Sequence, residues 1–128
     1  MEKLYRLLAA QPRWALIAFA VCLYLLCLYL GGIQTAVRAL PGREMHSKIY
    51  HMVFYFGLGG LAWFCCRRPT ILKATAFVAL AGALDETHQY FLAFRHARYS
   101  DIAIDTAAGL CAALLLYWVS RRVASRQK

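Results

Sequence analysis

The sequence predicts an all-α membrane protein in which four transmembrane helices form one compact bundle. Hydrophobic residues make up 62% of the 128 residues, charged residues make up 16%, and the mean hydropathy is +0.49. This composition is far more apolar than that of a soluble domain. The chain also contains four mostly apolar segments that are long enough to cross a hydrocarbon core of about 30 Å. These spans cover about residues 14–32, 49–66, 71–91 and 102–119 of a single domain, 1–128.

The first span is predicted to be a helix of the mature protein. It is too long for the apolar core of a signal peptide, and no small-x-small cleavage site follows it. Residues 33–48 then form a connection in which Pro41-Gly42 breaks any helix that continues from the first span.

The second and third spans are predicted to be antiparallel neighbours. Only Arg67-Arg68-Pro69 and a few flanking residues separate them, and Pro69 suits the first turn of the third helix. The third and fourth spans are rich in alanine and glycine, which lets two helix backbones approach closely. We therefore expect these two helices to be in contact.

The charge distribution predicts the orientation in the membrane. Four spans place both termini and the Arg67-Arg68 turn on the same side, and most of the basic residues lie there. The positive-inside rule makes that side cytoplasmic. The formal charge of +9 is explained in this way without a nucleic-acid partner. Five of the six acidic residues fall on the opposite, outer side: Glu44, Asp85, Glu86, Asp101 and Asp105.

Polar side chains at the outer helix ends form the candidate site. Asp85 and Gln89 are four residues apart, as are Asp101 and Asp105, so each pair lies on one face of its helix. If these faces point inward, the polar residues converge in one cavity, and ionisable groups in such a place are functional candidates. A structural ion-pair network that locks the bundle is the alternative. The candidate residues are Lys48, His51, Tyr55, Asp85, Glu86, Gln89, Arg95, Asp101 and Asp105.

The spacing of these residues resembles that of the VanZ-like family of small bacterial membrane proteins. The resemblance covers about residues 47–118 and rests on four motifs: Lys48-x-x-His51-x-x-x-Tyr55, Asp85-Glu86-x-x-Gln89 with Arg95, Asp101-x-x-x-Asp105, and Gly109. It implies a multi-pass protein of the bacterial cytoplasmic (inner) membrane and a link to glycopeptide (teicoplanin) resistance. It implies no defined biochemical activity.

Four positions depart from the family pattern. Ser47 stands where the family has Asp, Ala93-Phe94 stands where it has Pro-Gly, and Asp105 stands where it has Asn. The turn before Arg95 is therefore expected to have a different shape. Asp105 adds a negative charge that could strengthen cation binding or be neutralised by a nearby arginine.

Three functions fit these residues. The first is binding or handling of an anionic envelope lipid, such as a polyprenyl phosphate or a lipid-linked cell-wall precursor, with Lys48 and Arg95 pairing with phosphate. The carboxylates would orient these cations or hold a divalent ion. The second is an intramembrane hydrolase or transferase that uses the acids as a general base or as metal ligands. The third is a structural membrane subunit, and a homodimer through the small-residue faces is left open.

Overall fold

Five α-helices follow one another in the computed structural model, which describes residues 1–33, 43–91 and 98–126. The described residues contain no β-strand, so the all-α prediction is confirmed. The helices are α1 (Glu2–Ala9), α2 (Arg13–Ile33), α3 (Arg43–Cys65), α4 (Ile71–Tyr90) and α5 (Tyr99–Ser125).

Within the described residues, α5 alone is long and apolar enough to cross a membrane as one straight helix. Glu2–Ala9 and Arg13–Tyr29 meet the same criterion when taken together, but they are bent by 104° at the break between them. In α4, Lys73, Asp85 and Glu86 lie within a helix of 20 residues, and charged groups lower the hydropathy of such a segment. The four-span topology and the cytoplasmic termini therefore stay predictions.

Two helices extend beyond the boundaries that the sequence predicted. α3 begins at Arg43 and not near residue 49, so the connection before it is shorter than the predicted 33–48. α5 continues to Ser125, six residues past the predicted end at 119. The predictions followed the apolar stretches, whereas backbone hydrogen bonding in a helix continues into polar residues.

The start of α4 differs from the prediction at Pro69. Thr70 is the N-cap of α4, and its hydroxyl accepts a hydrogen bond from the backbone N–H of Lys73 at 3.2 Å. Pro69 therefore precedes the cap and is not in the first helical turn. A threonine cap satisfies one of the N–H groups that the first turn leaves without a partner.

Helix α1 was not among the predicted helices. Met1, Leu4, Tyr5 and Leu8 follow one another at steps of three and four, which is the spacing of an apolar helix face. These side chains form one wall of an apolar groove of about 380 Å³ whose other walls come from α3 and α5. The ring of Tyr5 lies 5.3 Å from that of Phe64.

The N-terminal and C-terminal ends of the chain meet at this end of the bundle. Arg126 Nη1 donates a hydrogen bond to Glu2 Oε2 at 2.9 Å and so links α1 to the segment after α5. One turn earlier in α5, the guanidinium of Arg122 lies 3.6 Å from the centre of the Trp118 ring. Basic side chains therefore gather where the chain begins and ends.

Close packing of α5 against α3 and α4 depends on two glycines. A Cβ atom on Gly59 of α3 would lie 2.9 Å from the Cα of Gly109 in α5, and a Cβ on Gly109 would lie 2.7 Å from Val78 of α4. Three helices therefore meet at Gly109. The predicted contact between the third and fourth spans is confirmed as the packing of α4 on α5, and α3 packs on α5 at least as extensively.

Gly109→Ala is expected to destabilise the bundle. The added methyl group overlaps Val78, and overpacking of this kind costs about 1–3 kcal/mol. Gly57→Ala is the matched control because a Cβ there meets nothing within 4 Å, so the better helix propensity of alanine leaves stability unchanged or slightly higher. Thermal unfolding of both variants in the same detergent checks this. Equal melting temperatures for Gly109→Ala and the wild type would contradict the packing described above.

Candidate functional site

Polar side chains of α3, α4 and α5 meet at the end of the bundle away from α1. They come from the first half and the middle of α3, the last two turns of α4 and the first two turns of α5, because α4 runs antiparallel to both α3 and α5. We call the following six residues the polar cluster: His51, Tyr55, Asp85, Glu86, Asp101 and Asp105. The convergence that helical spacing predicted is therefore present for these residues.

Asp105 and His51 form a polar pair in which the carboxylate is the most deeply buried member of the cluster. Asp105 is fully buried, and its Oδ1 and Oδ2 lie 3.1 and 3.3 Å from His51 Nδ1. A Cβ on Gly82 of α4 would lie 3.0 Å from Asp105 Oδ2, so glycine there makes room for the carboxylate. The His51 ring also stacks with that of Tyr55 at 5.8 Å between centroids. Among the described residues, the extra acid that departs from the family pattern therefore has a histidine as its partner.

Tyr55 connects α3 to α4 through Asp85. Its hydroxyl donates to Asp85 Oδ2 at 3.2 Å, and both side chains are buried. On the same side of the core, the hydroxyl of Tyr24 from α2 donates to the backbone carbonyl of Ala81 at 2.8 Å. Asp85 therefore has a defined partner inside the bundle, as a buried carboxylate requires.

Only one of the two carboxylate oxygens of Glu86 has a hydrogen-bond donor among the described residues. Its side chain is 3% exposed, and Oε2 accepts a hydrogen bond of 2.7 Å from the backbone N–H of Arg98. The other oxygen, Oε1, is buried and has no hydrogen-bond partner among the described residues. Buried polar atoms normally have partners, so such an atom requires an explanation.

Three members of the cluster could hold a metal ion. Each offers one ligand atom, and the three atoms all lie within 4.8 Å of one another. The residues are His51, Glu86 and Asp101. Asp101 is half-buried, and the Ser100 hydroxyl donates to its Oδ1 at 3.1 Å. His88, which is two residues from Glu86 in the sequence, is not part of this group.

The remaining predicted site residues lie beside the cluster or outside the described chain. Lys48 is half-buried one turn before His51, and Gln89 is buried one turn after Asp85. Arg95 lies outside the described residues. Helical spacing alone thus placed eight of the nine candidates at one end of the bundle, while the role of each stays a prediction.

Sequence reasoning missed three contributors to the site. Tyr24 lies in the middle of the apolar first span, where no sequence feature distinguishes it from residues that face lipid, yet its hydroxyl turns inward to α4. Gly82 was noted for helix packing and not for the space that it leaves for Asp105. The backbone N–H of Arg98 carries no sequence signal, because every residue except proline has one.

Tyr55→Phe is expected to lower stability by about 1–3 kcal/mol, because it leaves a buried Asp85 oxygen without its donor. Tyr50→Phe is the control, since Tyr50 lies in the same helix and its side chain is 70% exposed. Chemical or thermal unfolding in detergent measures both. If the two substitutions cost the same, the bond from Tyr55 to Asp85 does not contribute to stability.

Comparison with known proteins identifies the family. The model of the VanZ/LLP1 family matches residues 14–120, which include α2, α3, α4, most of α5 and the whole polar cluster. No curated protein and no solved structure matches the chain. The family match and the apolar α5 together indicate a membrane protein. The match covers well over half of the sequence and confirms the resemblance read from the motifs, so the chain belongs to the VanZ/LLP1 family.

Proposed function

We propose that this VanZ-like protein binds the phosphate of an envelope lipid at the polar cluster. The observation that carries the proposal is the convergence of buried acids and a histidine from three helices at one end of an apolar bundle. Ionisable groups within membrane-spanning segments are costly and commonly mark ligand or ion sites. The lipid is proposed to be a polyprenyl phosphate or a lipid-linked cell-wall precursor, which agrees with the link of the family to teicoplanin resistance.

The proposal places the cluster at the outer face of the bacterial inner membrane. Helices α2 to α5 then cross the bilayer, and both termini are cytoplasmic. The contact between Glu2 and Arg126 supports this, because it brings the two ends of the chain together opposite the cluster. The bend of 104° between α1 and α2 also fits an amphipathic α1 that lies along the inner interface.

Under this proposal, two acids of the cluster have a structural role and the basic residues contact the lipid. Asp85 and Asp105 are buried and bonded to Tyr55 and His51, so they hold the helices and do not face a ligand. Lys48 is half-buried at the edge of the cluster. We therefore assign contact with the lipid phosphate to Lys48 and to Arg95, whose guanidinium can bind phosphate in a bidentate way.

An enzyme is the second candidate function. Glu86 lies close to His51, and its Oε1 has no donor among the described residues. These observations favour an enzyme, because a carboxylate oxygen without a donor is available as a general base or a metal ligand. An intramembrane hydrolase or transferase acting on the same lipid would use Glu86 for the reaction and Lys48 for binding. The two candidate functions therefore predict different results for Glu86→Gln. An enzyme loses conversion of the bound lipid to product, whereas a binding protein converts no lipid with or without the substitution.

Lys48→Gln is expected to reduce lipid retention at least tenfold, because loss of one charge-assisted hydrogen bond costs about 1.5–3 kcal/mol. Native mass spectrometry of protein released gently from bacterial membranes measures the retained isoprenoid phosphate. Lys73→Gln is the control, since Lys73 lies in the first turn of α4 at the far end of the bundle and is exposed.

The outcomes separate the functions. Equal retention by both lysine variants, or no specific lipid on folded wild type, would reject the lipid-binding proposal and leave a structural network. If Glu86→Gln retains more intact lipid than wild type while wild type releases a cleaved product, the enzyme is favoured.

The proposed topology makes an independent prediction. Alkaline phosphatase, which is active only after export, should be active when inserted after Pro41 and inactive when fused to Lys128. A fluorescent protein that folds only in the cytoplasm should give the opposite result at the same two positions. Activity of the phosphatase at Lys128 would contradict the placement of the C-terminus, and with it the outer location of the polar cluster.

A further inference from the structure

We propose that His51, Glu86 and Asp101 bind a divalent transition-metal ion of the Mn²⁺ or Zn²⁺ class. One nitrogen and two carboxylate oxygens, contributed by three different helices, lie within 4.8 Å of one another. Imidazole suits first-row transition metals, and carboxylate suits Mn²⁺ and, as a third ligand, Zn²⁺. The inference goes beyond lipid binding and does not depend on it, because the ion is bound by the chain alone.

The unpartnered oxygen of Glu86 is the second and independent observation. The side chain is 3% exposed, Oε2 is already used by the N–H of Arg98, and Oε1 is buried without a partner among the described residues. Desolvation of a carboxylate oxygen is costly when nothing replaces the lost water. A bound cation would supply the missing partner.

The contact with Asp105 leaves the second ring nitrogen of His51 available for an ion. His51 Nδ1 faces the Asp105 carboxylate at 3.1 Å, so in the neutral ring the proton lies on Nδ1 and the lone pair on Nε2. A metal-binding histidine commonly donates its other N–H to a carboxylate in this way. Tyr55 stacks on the ring and Gly82 leaves space for Asp105, so both fix the His51–Asp105 pair from the inside.

The three ligand atoms are close enough to share one ion after adjustment of their side chains. Ligand atoms about 2.0–2.2 Å from a common ion are at most about 4.4 Å apart, and the three atoms here all lie within 4.8 Å of one another. Asp101 is half-buried in the first turn of α5 and is the member with most freedom to move. Three protein ligands leave at least one coordination position open, as in catalytic metal sites. A water molecule or a phosphate oxygen could occupy that position.

Manganese is the probe of choice for the test. The described residues include five cysteines that are not in disulfides, Cys22, Cys27, Cys65, Cys66 and Cys111, and thiolates bind Zn²⁺ in preference to Mn²⁺. The full chain is purified in detergent, stripped of metal and lipid, and titrated with MnCl₂. Electron paramagnetic resonance measures the decrease in the free-ion signal, and a melting curve with and without MnCl₂ gives a second measurement.

The variants isolate the contribution of Glu86. Wild type is expected to bind one Mn²⁺ per chain and to melt at a higher temperature when the ion is present. Glu86→Gln keeps an oxygen that can accept from Arg98 but loses the negative charge, and it is expected to bind at least tenfold more weakly. Glu2→Gln is the matched control and should bind like wild type, because Glu2 pairs with Arg126 at the other end of the bundle. Asp101→Asn provides a second test if Glu86→Gln does not fold.

Two results would overturn the inference. One is folded wild type that binds no Mn²⁺, which would mean that burial of Glu86 Oε1 does not create an ion site. The other is equal binding by wild type and Glu86→Gln, which would locate the ion elsewhere. Neither result bears on lipid binding, since the lipid is removed before titration. Conversely, Mn²⁺ binding by a protein that retains no lipid would support the ion site and reject the lipid-binding proposal.

Discussion

The burial of Asp105 constrains the rest of the structure. A carboxylate removed from water is tolerated only where a charged or hydrogen-bonding partner replaces the solvent, and removing one member of such a pair is strongly destabilising. His51 supplies the partner from α3, and Gly82 of α4 leaves the space that the carboxylate occupies. The rotation and the axial position of three helices are therefore fixed relative to one another at this residue.

The same face of α5 brings the helices together. Gly109 follows Asp105 by four residues, and buried Ala112 and Ala113 follow in the next turn. Without large side chains on this face, α3 and α4 approach α5 closely enough for a short side chain such as aspartate to reach its partner. The contact at Gly109 and the hydrogen bond at Asp105 thus depend on each other, because a wider helix spacing would separate Asp105 from His51 before it affected the apolar contacts.

Composition and spacing predicted the fold class and the location of the site. Apolar stretches identified four of the five described helices, and steps of three and four residues placed the polar groups at matching helix ends. The helix boundaries were less predictable, because hydropathy marks where apolar residues stop and not where backbone hydrogen bonding stops. α1 was missed because eight residues are too few to form a span, and its structure depends on packing against Phe64 and α5.

Spacing could not assign partners within the site. Asp101 and Asp105 lie on one face of α5, yet Asp105 pairs with His51 in the interior while Asp101 lies near Glu86 at the edge. That difference depends on the rotation of α5 against α3 and on the offset of α4, which are set by contacts at Gly59, Gly109 and Val78. A sequence pattern contains the period of each helix but not the rotation of one helix relative to the next.

A structural network alone accounts for only part of the polar cluster. Asp85 and Asp105 have donors within the bundle, and a bundle held by such pairs needs nothing further at these positions. Glu86 differs, because half of its carboxylate is buried and lacks a donor in the described chain, so its burial costs free energy that no described contact offsets. The unsatisfied acid is as buried as the satisfied ones, but it lies beside half-buried Asp101 and His51. The proposed ligand or ion would therefore meet the cluster at these three residues, next to the acids that hold the helices together.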